Sequence, residues 1–544
     1  MVTSSTRSSA NKKLARSASA SAARSSEPQL SERTWRIAAI SIFCLAAVLR
    51  LYDPSLAPLH HDEGVNGNFL LTLVREGRYH YDPANYHGPT LYYITAVIPW
   101  AFKILFGTAA RDTYGLSTFV IRLIPALFGL GTVALIFTLR RYLGSVAALV
   151  AALLLAISPG AVYLSRYFIH ETLFVFFTLG IVVSGLKFYA MRNPVYLLLA
   201  SASAAMLFAT KETAMISAGV LVLAVASTVV YRRLLGMEPS KVSTQSQPFI
   251  EDLGGPLALA LWIGLAVVVF VLLNVFFYSS FFQNYPQGVY DALKTFEIWS
   301  KTGKSAHVHP PETYLIWLTK QESALLFLGV IGAALVVFKP KNSFALFSAL
   351  WAFGLIAAYS LVPYKTPWLV LNFILPLSLI AGFAVQSIYE LERGKLYLPL
   401  IVLGIAVVIG AYQTIDLNFI NYDNDSTYYV YVYAHTRRQT KQLVDEIDKI
   451  AQETEGAKTG ITIVSREYWP LPWYLRNYSR VGYYGHMTPT TEPIIIASDD
   501  QRAEVESTFG ELYKEIPSTE EGGVFPLRPG VNLLLYARRT NLKQ

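Results

Sequence analysis

Long apolar runs separated by short polar segments fill the chain from about residue 36 to residue 413. A helix of about twenty apolar residues is long enough to cross a bilayer. We predict eleven such spans, at about 36–52, 117–139, 145–163, 168–189, 194–210, 213–231, 256–278, 321–338, 343–361, 367–389 and 396–413. The pattern predicts a polytopic α-helical membrane protein, and we expect no pair of broken spans in matching halves of the kind that many carriers have.

The basic residues between the spans indicate the orientation, because Lys and Arg concentrate in cytoplasmic loops. With eleven spans, all the marked basic positions fall on the cytoplasmic side: Lys12, Lys13, Arg140, Arg141, Arg192, Arg232, Arg233, Lys339, Lys341, Arg393 and Lys395. If a further apolar run, 90–107, also crossed the membrane, every later basic loop would lie on the outer side. We therefore expect this run to lie along the outer surface as an interfacial helix, with the N-terminus of the chain in the cytoplasm.

Composition supports a protein of the cell's inner membrane. Only 15% of the 544 residues are charged, against about 25% in soluble domains. The formal charge of +8 comes from the tail and the short loops, so it does not indicate a nucleic-acid partner. Residues 1–35 are rich in Ser, Ala, Arg and Lys, which predicts a disordered cytoplasmic tail. Cys44 is the one cysteine, which excludes an intrachain disulfide.

The last part of the chain, 414–544, changes character and is predicted to lie outside the cell. Runs at 460–464 and 493–497 are typical of strands, and 436–453 and 500–509 of helices. Strands that alternate with helices predict a small α/β domain. An aromatic stretch, 468–474, either docks this domain on the membrane surface or forms a stacking surface for a sugar or lipid.

Five ionisable patches interrupt the apolar pattern, in or next to the predicted outer loops 53–116 and 279–320 and at three span ends. The patches are His60–Glu63, Ser165–Glu171, Thr210–Glu212, His307–Glu312 and Pro363–Trp368. The predicted orientation places all of them on the outer face. Charged groups at a membrane edge are costly and therefore candidates for function, so we expect one site at the boundary between membrane and water.

These residues resemble a known superfamily. An Asp-Glu pair in the first outer loop resembles the signature of GT-C glycosyltransferases, nearest to protein mannosyltransferases and aminoarabinose transferases. Five segments resemble a prokaryotic branch often labelled flippase-activity-associated: His61-Asp62-Glu63, Tyr86-His87-Gly88-Pro89, Ser165-Arg166-Tyr167, Ala209-Thr210-Lys211-Glu212 and Tyr364-Lys365-Thr366-Pro367-Trp368. The resemblance, from about residue 36 to at least 478, implies a GT-C-like fold. It also implies inverting transfer of a sugar from a polyprenyl-phosphate donor to a protein, lipid or glycan acceptor outside the cell.

The resemblance also implies roles for the patch residues. Asp62 is the candidate base for the acceptor hydroxyl, and Glu63 is the second candidate or a partner of the acceptor. Candidate contacts to the donor phosphate are Arg166, Tyr167, Lys211 and Lys365. Candidate contacts to the acceptor or the sugar are His61, His87, His170, Glu171, Glu212, His307, His309, Glu312 and Trp368. A divalent cation, Mg²⁺ or Mn²⁺, bridging Asp62 and the phosphate is a further hypothesis.

Each assignment has a plainer alternative. Asp62 and Glu63 are also suited to capping a helix, and Arg166 to pairing with Glu171. The Lys211–Glu212 pair could simply mark an interfacial turn, and Lys365 could reach the surface from a helix end. For the whole protein, the alternative function is a transporter or flippase component that handles lipid-linked glycans without catalysis.

Overall fold

The apolar runs form long helices in the computed structural model, which describes residues 30–84, 87–237, 249–301, 307–338, 340 and 342–539. The helices of the membrane part are α1 Glu32–Leu51, α2 His61–Glu76, α3 Thr90–Phe106, α4 Thr118–Thr138, α5 Ser145–Ala156, α6 Pro159–Ser165, α7 Glu171–Met191, α8 Val195–Phe208, α9 Ala214–Leu234, α10 Gly255–Tyr278, α11 Gln287–Lys301, α12 Thr313–Gln321, α13 Ser323–Phe338, α14 Ser343–Leu361, α15 Leu371–Leu391 and α16 Tyr397–Ile415. Most of the predicted tail, Tyr86, Lys339 and Lys341 lie outside the described residues.

Within the described ranges, eight helices are long and apolar enough to cross a membrane, and the count rises to ten if each of two bent pairs is one span. The shorter helix α8 has 14 residues and corresponds to a further predicted span. Each predicted span therefore has a helical counterpart, whereas the count of eleven and the orientation stay predictions.

The core of the bundle surrounds the segment Pro367–Leu391, of which 89% is buried. Helix α15 of this segment packs against α5, α13 and α14. By contrast, only 6% of α10 is buried, so this helix lies at the periphery. The segment that carries Trp368 at its start is thus the most enclosed of the apolar helices, which holds the preceding loop in a fixed position.

Two helix pairs are sharply bent at a short break, whereas the expectation that no broken spans lie in matching halves stays a prediction. Helices α5 and α6 meet at 60°, and α12 and α13 meet at 114°. The Arg50 guanidinium donates to the Ala156 carbonyl at the end of α5 (3.0 Å). The Glu322 carboxylate accepts hydrogen bonds from the Ser158 hydroxyl and the Gly160 N–H at the start of α6, both at 2.8 Å. A cation at a helix C-terminus and an anion at an N-terminus stabilise the two exposed ends.

Helix α3 covers the run 90–107 that we expected to lie on the membrane surface. One side of the helix, with Tyr92 and Ala96, is fully buried and packs on α2. The last turn exposes Ile104, Leu105 and Phe106, at 82%, 70% and 69%. Exposed apolar side chains of this kind suit an interfacial helix, and the depth of the helix in the membrane stays a prediction.

The C-terminal residues form a mixed sheet with helices α17 Thr440–Glu453 and α18 Arg502–Phe509. Its strands are β1 Gly460–Ile463, β2 Arg480–Tyr483, β3 Ile494–Ser498, β4 Tyr513–Ile516, β5 Phe525–Arg528 and β6 Val531–Arg538. The main order is β2-β1-β3-β6-β4, and β5 also pairs with β6. Strand β1 is parallel to β2 and β3, whereas β6 is antiparallel to its neighbours. The predicted small domain with helices and strands is confirmed.

Candidate functional site

Helix α2, in the first predicted outer loop, has Asp62 and Glu63 in its first turn, and the two carboxylates have different surroundings. His60 caps the helix, and the Glu63 carboxylate accepts the His60 N–H (3.0 Å), which makes a capping box. Glu63 is fully buried and forms an ion pair with Arg122 of α4, at 2.5 and 2.7 Å. It also accepts the Phe168 N–H at 2.7 Å. Both oxygens of Glu63 are therefore occupied, so its geometry favours a positioning role over that of a base.

Asp62 points in another direction, because neighbouring helical residues are about 100° apart around the axis. Its side chain is 33% exposed, and the His60 Nδ1, which accepts the Asp62 N–H, lies 3.9 Å from its carboxylate. Within the described residues, the Asp62 carboxylate forms no hydrogen bond. It lies in the first turn of α2, where backbone N–H groups stabilise a negative charge. Asp62 is thus the acid of this pair that a ligand can reach.

Tyr433 joins three of the predicted patches. Its carbonyl accepts a hydrogen bond from the His60 Nε2 (2.9 Å), and its hydroxyl bonds the His307 Nδ1 (2.6 Å). The Trp368 ring lies 6.4 Å from the His60 ring and 6.2 Å from the Tyr433 ring. The patches from the first loop, from the 307–312 segment and from the start of α15 therefore meet.

Lys365 is fixed by a short pairing of two loops. The Lys365 N–H donates to the His307 carbonyl (2.9 Å), and the His309 N–H donates to the Pro363 carbonyl (3.1 Å). The Lys365 ammonium donates to the carbonyls of Val362 (2.6 Å) and His309 (3.2 Å). In the described residues no carboxylate lies within 4 Å of it. Burial lowers the pKa of Lys365, and Glu312 opposes this effect.

The phenol of Tyr364 is affected by the charges of two groups of acids. Burial raises the pKa of its phenol most, and the charges of Asp62, Glu171 and Glu212 raise it further, in that order. These carboxylates come from the first loop, from the start of α7 and from the α8–α9 turn. Tyr364 therefore connects the Asp62 region with a second polar cluster.

The second cluster consists of two ion pairs at the ends of α7 and α8. Lys211 pairs with Glu171 at 2.5 Å, and both side chains are at most 5% exposed. Glu212 pairs with the His87 Nδ1 at 2.9 Å. Burial alone would raise the pKa of Glu212, but His87 and Lys211 lower it overall. The structure bonds these residues to one another, and their predicted contacts with a ligand stay predictions.

His170 and Gly88 hold this cluster together. The His170 Nε2 donates to the Gly88 carbonyl (3.0 Å), and burial keeps the pKa of His170 well below its usual value, with further lowering by His87 and Lys211. A Cβ on Gly88 would lie 2.1 Å from the Ala209 carbonyl oxygen. Only glycine permits this contact between the 87–89 loop and the α8–α9 turn.

Arg166 is directed away from Asp62. Its guanidinium donates to the carbonyls of Tyr52 (2.5 Å) and Asp53 (2.8 Å) after the end of α1, and it lies 4.8 Å from the Phe419 ring centroid. The alternative pair with Glu171 is not formed in the described structure, and the predicted phosphate contact stays a prediction. Lys and Arg side chains favour such helix ends, so the geometry of Arg166 indicates a structural role.

Tyr167 lies on the inner side of the site. Its ring is 5.2 Å from His60 and 5.9 Å from His435. Burial raises the pKa of the Tyr167 phenol well above its usual value, and the Asp62 and Glu63 charges add to this. The phenol is therefore a neutral hydrogen-bonding group beside Asp62.

The C-terminal domain contacts the site through His61 and the aromatic stretch. The Arg528 guanidinium donates to the His61 Nδ1 (3.1 Å) and forms an ion pair with Glu467. The Trp469 ring lies 6.1 Å from His61. Burial lowers the pKa of His61 most, and the Asp62 charge opposes this. His61 is therefore shared between the first outer loop and the C-terminal domain.

The aromatic stretch 468–474 docks this domain on the protein itself. A Cβ on Gly67 would lie 2.6 Å from the buried Trp473 ring, and one on Gly64 would lie 2.5 Å from Pro470. The Tyr474 hydroxyl accepts the Leu59 N–H at 2.8 Å. The stretch therefore packs on α2 and the turn before it, and the predicted roles at the membrane surface or in stacking on a sugar or lipid stay predictions.

Four residues of the site were missed by sequence reasoning: Arg122, Tyr433, His435 and Glu322. A signal existed for Arg122, which is a lone charge within an apolar run. Tyr433 ends a dense aromatic segment, 428–433, and His435 follows it, in the stretch after the last span. Glu322 lies at the start of the predicted span 321–338, where a charge within an apolar run was a further signal.

The donor chemistry around Asp62 does not fit a metal site built by this chain. Glu63 is bonded to Arg122, His61 to Arg528, and both ring nitrogens of His60 to backbone groups. In the part of the chain that the structure describes, no three His, Cys, Asp or Glu residues could hold a metal ion. Asp62 alone is a weak anchor for a cation, so we derive no step through one.

Comparison with known proteins supports the predicted resemblance. Residues 96–240 match the family model for dolichyl-phosphate-mannose-protein mannosyltransferase. The structure of ArnT from Cupriavidus metallidurans bound to undecaprenyl phosphate has a TM-score of 0.61 at 14% identity, over 94% of this chain and 99% of that one. AglB from Archaeoglobus fulgidus, in complex with an inhibitory peptide and a dolichol-phosphate, has a TM-score of 0.51 at 14% identity, over 86% of this chain and 70% of that one. No curated protein sequence matches the chain.

The fold and the arrangement of the polar patches define the class: this is a polytopic membrane protein with a GT-C fold, as the sequence predicted. The family match is confined to residues 96–240, and the likeness to ArnT covers 94% of the chain. At 14% identity the structural likeness carries the fold, and it does not carry donor, acceptor or residue roles.

Proposed function

We propose that this protein transfers a sugar from a polyprenyl-phosphate donor to an acceptor hydroxyl, with inversion, on the extracytoplasmic face. The observation that carries the proposal is that Tyr433 joins the patches of a reachable carboxylate, Asp62, and of a cation, Lys365, that no carboxylate neutralises in the described structure. Tyr433 bonds His60 at the start of α2 and His307, whose carbonyl accepts the Lys365 N–H. That ArnT was solved with undecaprenyl phosphate supports the donor class.

In the proposed reaction, Asp62 takes the proton of the acceptor hydroxyl as its oxygen attacks the anomeric carbon. The bond between that carbon and the phosphate oxygen breaks, and the electron pair leaves with the polyprenyl phosphate. Lys365 lies on the side where this charge develops and stabilises it. Trp368 and the neutral Tyr167 phenol line the place between the two charges and contact the sugar.

The alternative function, a carrier of lipid-linked glycans, would need polar groups near the middle of the membrane in both halves. The described polar groups instead gather at one end of the bundle, around Asp62, Lys211 and Lys365. The two broken spans break toward that same end, since α6 leads directly to Arg166 and α12 begins directly after Glu312. This arrangement favours the enzyme.

The test is Asp62→Asn in cells that lack the gene, with mass spectrometry of envelope glycans and glycoproteins as the readout. The wild-type gene should restore the missing glycan, and Asp62→Asn should reduce transfer by about 10²-fold or more, because a positioned base contributes that much. Asp445→Asn, an equal change at an exposed position of α17, is the matched control. Full restoration by Asp62→Asn would remove the assignment.

A further inference from the structure

A crevice of about 260 Å³ opens between α2 and the C-terminal domain, away from Asp62. Helix α2 contributes Asn68, Arg75 and the acidic Glu76, and the domain contributes Arg476, Tyr478 and Tyr483. This volume is just below the range of about 300–1,000 Å³ that is usual for ligand pockets. The crevice therefore has room for a small part of a larger ligand.

The two arginines differ in how their charges are balanced. Arg75 donates to Asp112 (3.2 Å), to the Arg476 carbonyl (2.8 Å) and to the Asn477 side chain (3.2 Å). Its charge is therefore paired and its donors are in use. Arg75 fixes the border between α2 and the domain and leaves little for a ligand.

Arg476 forms no ion pair among the described residues, and the Asp112 carboxylate, which pairs with Arg75, acts on its charge from beyond 4 Å. Its guanidinium stacks on the Trp473 ring at 4.4 Å and donates to the Trp473 carbonyl at 2.6 Å. Its buried Nε has no acceptor, and among the described residues no carboxylate lies within 4 Å of it. Burial lowers the pKa of Arg476 to about 10, and the nearby Arg75 adds to this. A bound anion would relieve the cost of this unpaired cation.

The rest of the lining suits a sugar ring. Tyr483 exposes 36% of its surface and packs one side against Tyr468, at 5.1 Å. The exposed Asn68 offers an amide that can donate to and accept from hydroxyl groups. A phenol face, an amide and a guanidinium together match an acidic saccharide, and one free positive charge matches a carboxylate better than a doubly charged phosphate.

We propose that this crevice binds a carboxylate-bearing sugar unit of the acceptor, with Arg476 paired to the carboxylate. The inference rests on the proposed transfer to an acceptor and adds that the acceptor is an acidic glycan. Along α2, Asn68 lies about 9 Å and Arg75 about 20 Å from Asp62, at 1.5 Å per residue. The Trp473–Gly67 contact lies between, so the crevice holds a neighbouring unit and not the reacting one.

The test measures binding of a short oligogalacturonate, and of a neutral galacto-oligosaccharide of equal length, to the full-length protein in nanodiscs without any lipid donor. We expect the acidic ligand to bind at least about tenfold more tightly, because hydrogen bonds to charged groups contribute that much. Arg476→Gln should weaken acidic binding by about tenfold. Asn68→Asp, which changes no packing, should weaken it about fivefold, and Asn68→Lys should strengthen it.

Gln442→Glu adds the same charge on an exposed face of α17 outside the crevice, and it should leave binding unchanged. Three results would overturn the inference. The two ligands bind equally, neither ligand binds, or the affinity for the acidic ligand is the same in the wild type, in Arg476→Gln and in both Asn68 variants. Asp62→Asn should still bind the acidic ligand. A wild-type protein that binds the acidic ligand but shows no sugar transfer therefore contradicts only the proposed function. A protein that transfers the sugar but does not bind the acidic ligand contradicts only the inference about the crevice.

Discussion

The buried pair of Glu63 and Arg122 allows a quantitative test of how the site is held. Both side chains are at most 2% exposed. Beyond the pair, Arg122 donates to the carbonyls of Pro54 (2.6 Å), Ala57 (2.8 Å) and Pro58 (3.1 Å). One ion pair thus connects α4, the turn before α2 and the first turn of α2 that carries Asp62.

The perturbation is Arg122→Met, which keeps the side-chain volume and removes the charge. It leaves the Glu63 carboxylate buried without its partner, and this should cost about 3–5 kcal/mol of unfolding free energy. Glu63→Gln removes the negative charge and keeps the shape, which should cost about 2 kcal/mol. In the double variant, Glu63→Gln with Arg122→Met, neither side chain is charged, so no buried charge is left without a partner.

The assay is a double-mutant cycle of unfolding by SDS in mixed micelles. The three carbonyls that Arg122 satisfies lose their donor in both Arg122 variants, so their contribution cancels in the cycle. The double variant should be more stable than the sum of the single effects predicts, by at least about 2 kcal/mol. A coupling below about 0.5 kcal/mol would refute the view that this pair fixes the start of α2.

Three further changes test other parts of the site. Gly67→Ala places a methyl group 2.6 Å from the Trp473 ring and should loosen the docked domain, so that a protease cleaves faster between α16 and α17. Gly185→Ala, whose added methyl group meets nothing within 4 Å, should leave the cleavage rate unchanged. Lys365→Met should raise the KM for the lipid donor and lower kcat by about tenfold or more, with an unchanged acceptor KM; an effect confined to the acceptor would contradict its role. The pKa of His170 is depressed in the folded protein, so below about pH 6.5 the unfolded chain binds more protons than the folded one. The melting temperature should therefore fall when the pH is lowered from 7 to 5. The fall should be smaller in His170→Gln.

The helices were predictable because an apolar run of this length has few other stable structures in a bilayer. The breaks were not, since apolar residues continue on both sides of Ser158 and Pro159 and the pattern does not change there. Glu322 stabilises that break from 162 positions away. A local pattern contains no information about such a partner, so the bends emerge only in the folded structure.

The adjacent acids Asp62 and Glu63 are a second case in which the local sequence does not reveal a distant partner. Sequence reasoning gave Asp62 and Glu63 nearly equal chemistry, and their difference depends on which side of α2 faces Arg122. The aromatic stretch was likewise predictable as a docking surface, but its partner was not. Its contacts with Gly64 and Gly67 require that both surfaces be present at once.

Charge balance separates the two lysines that the sequence treated alike. Lys211 faces Glu171 at 2.5 Å, so its charge is compensated before any ligand arrives, and a phosphate would have to compete with a buried carboxylate. Lys365 is bonded to carbonyl oxygens, which orient the ammonium and leave its full charge. A preorganised and uncompensated cation lowers the energy of a leaving phosphate most, because no existing ion pair must be broken as the charge develops. The Lys211 cluster is therefore suited to holding the loops that carry Tyr364, and Lys365 to the chemistry.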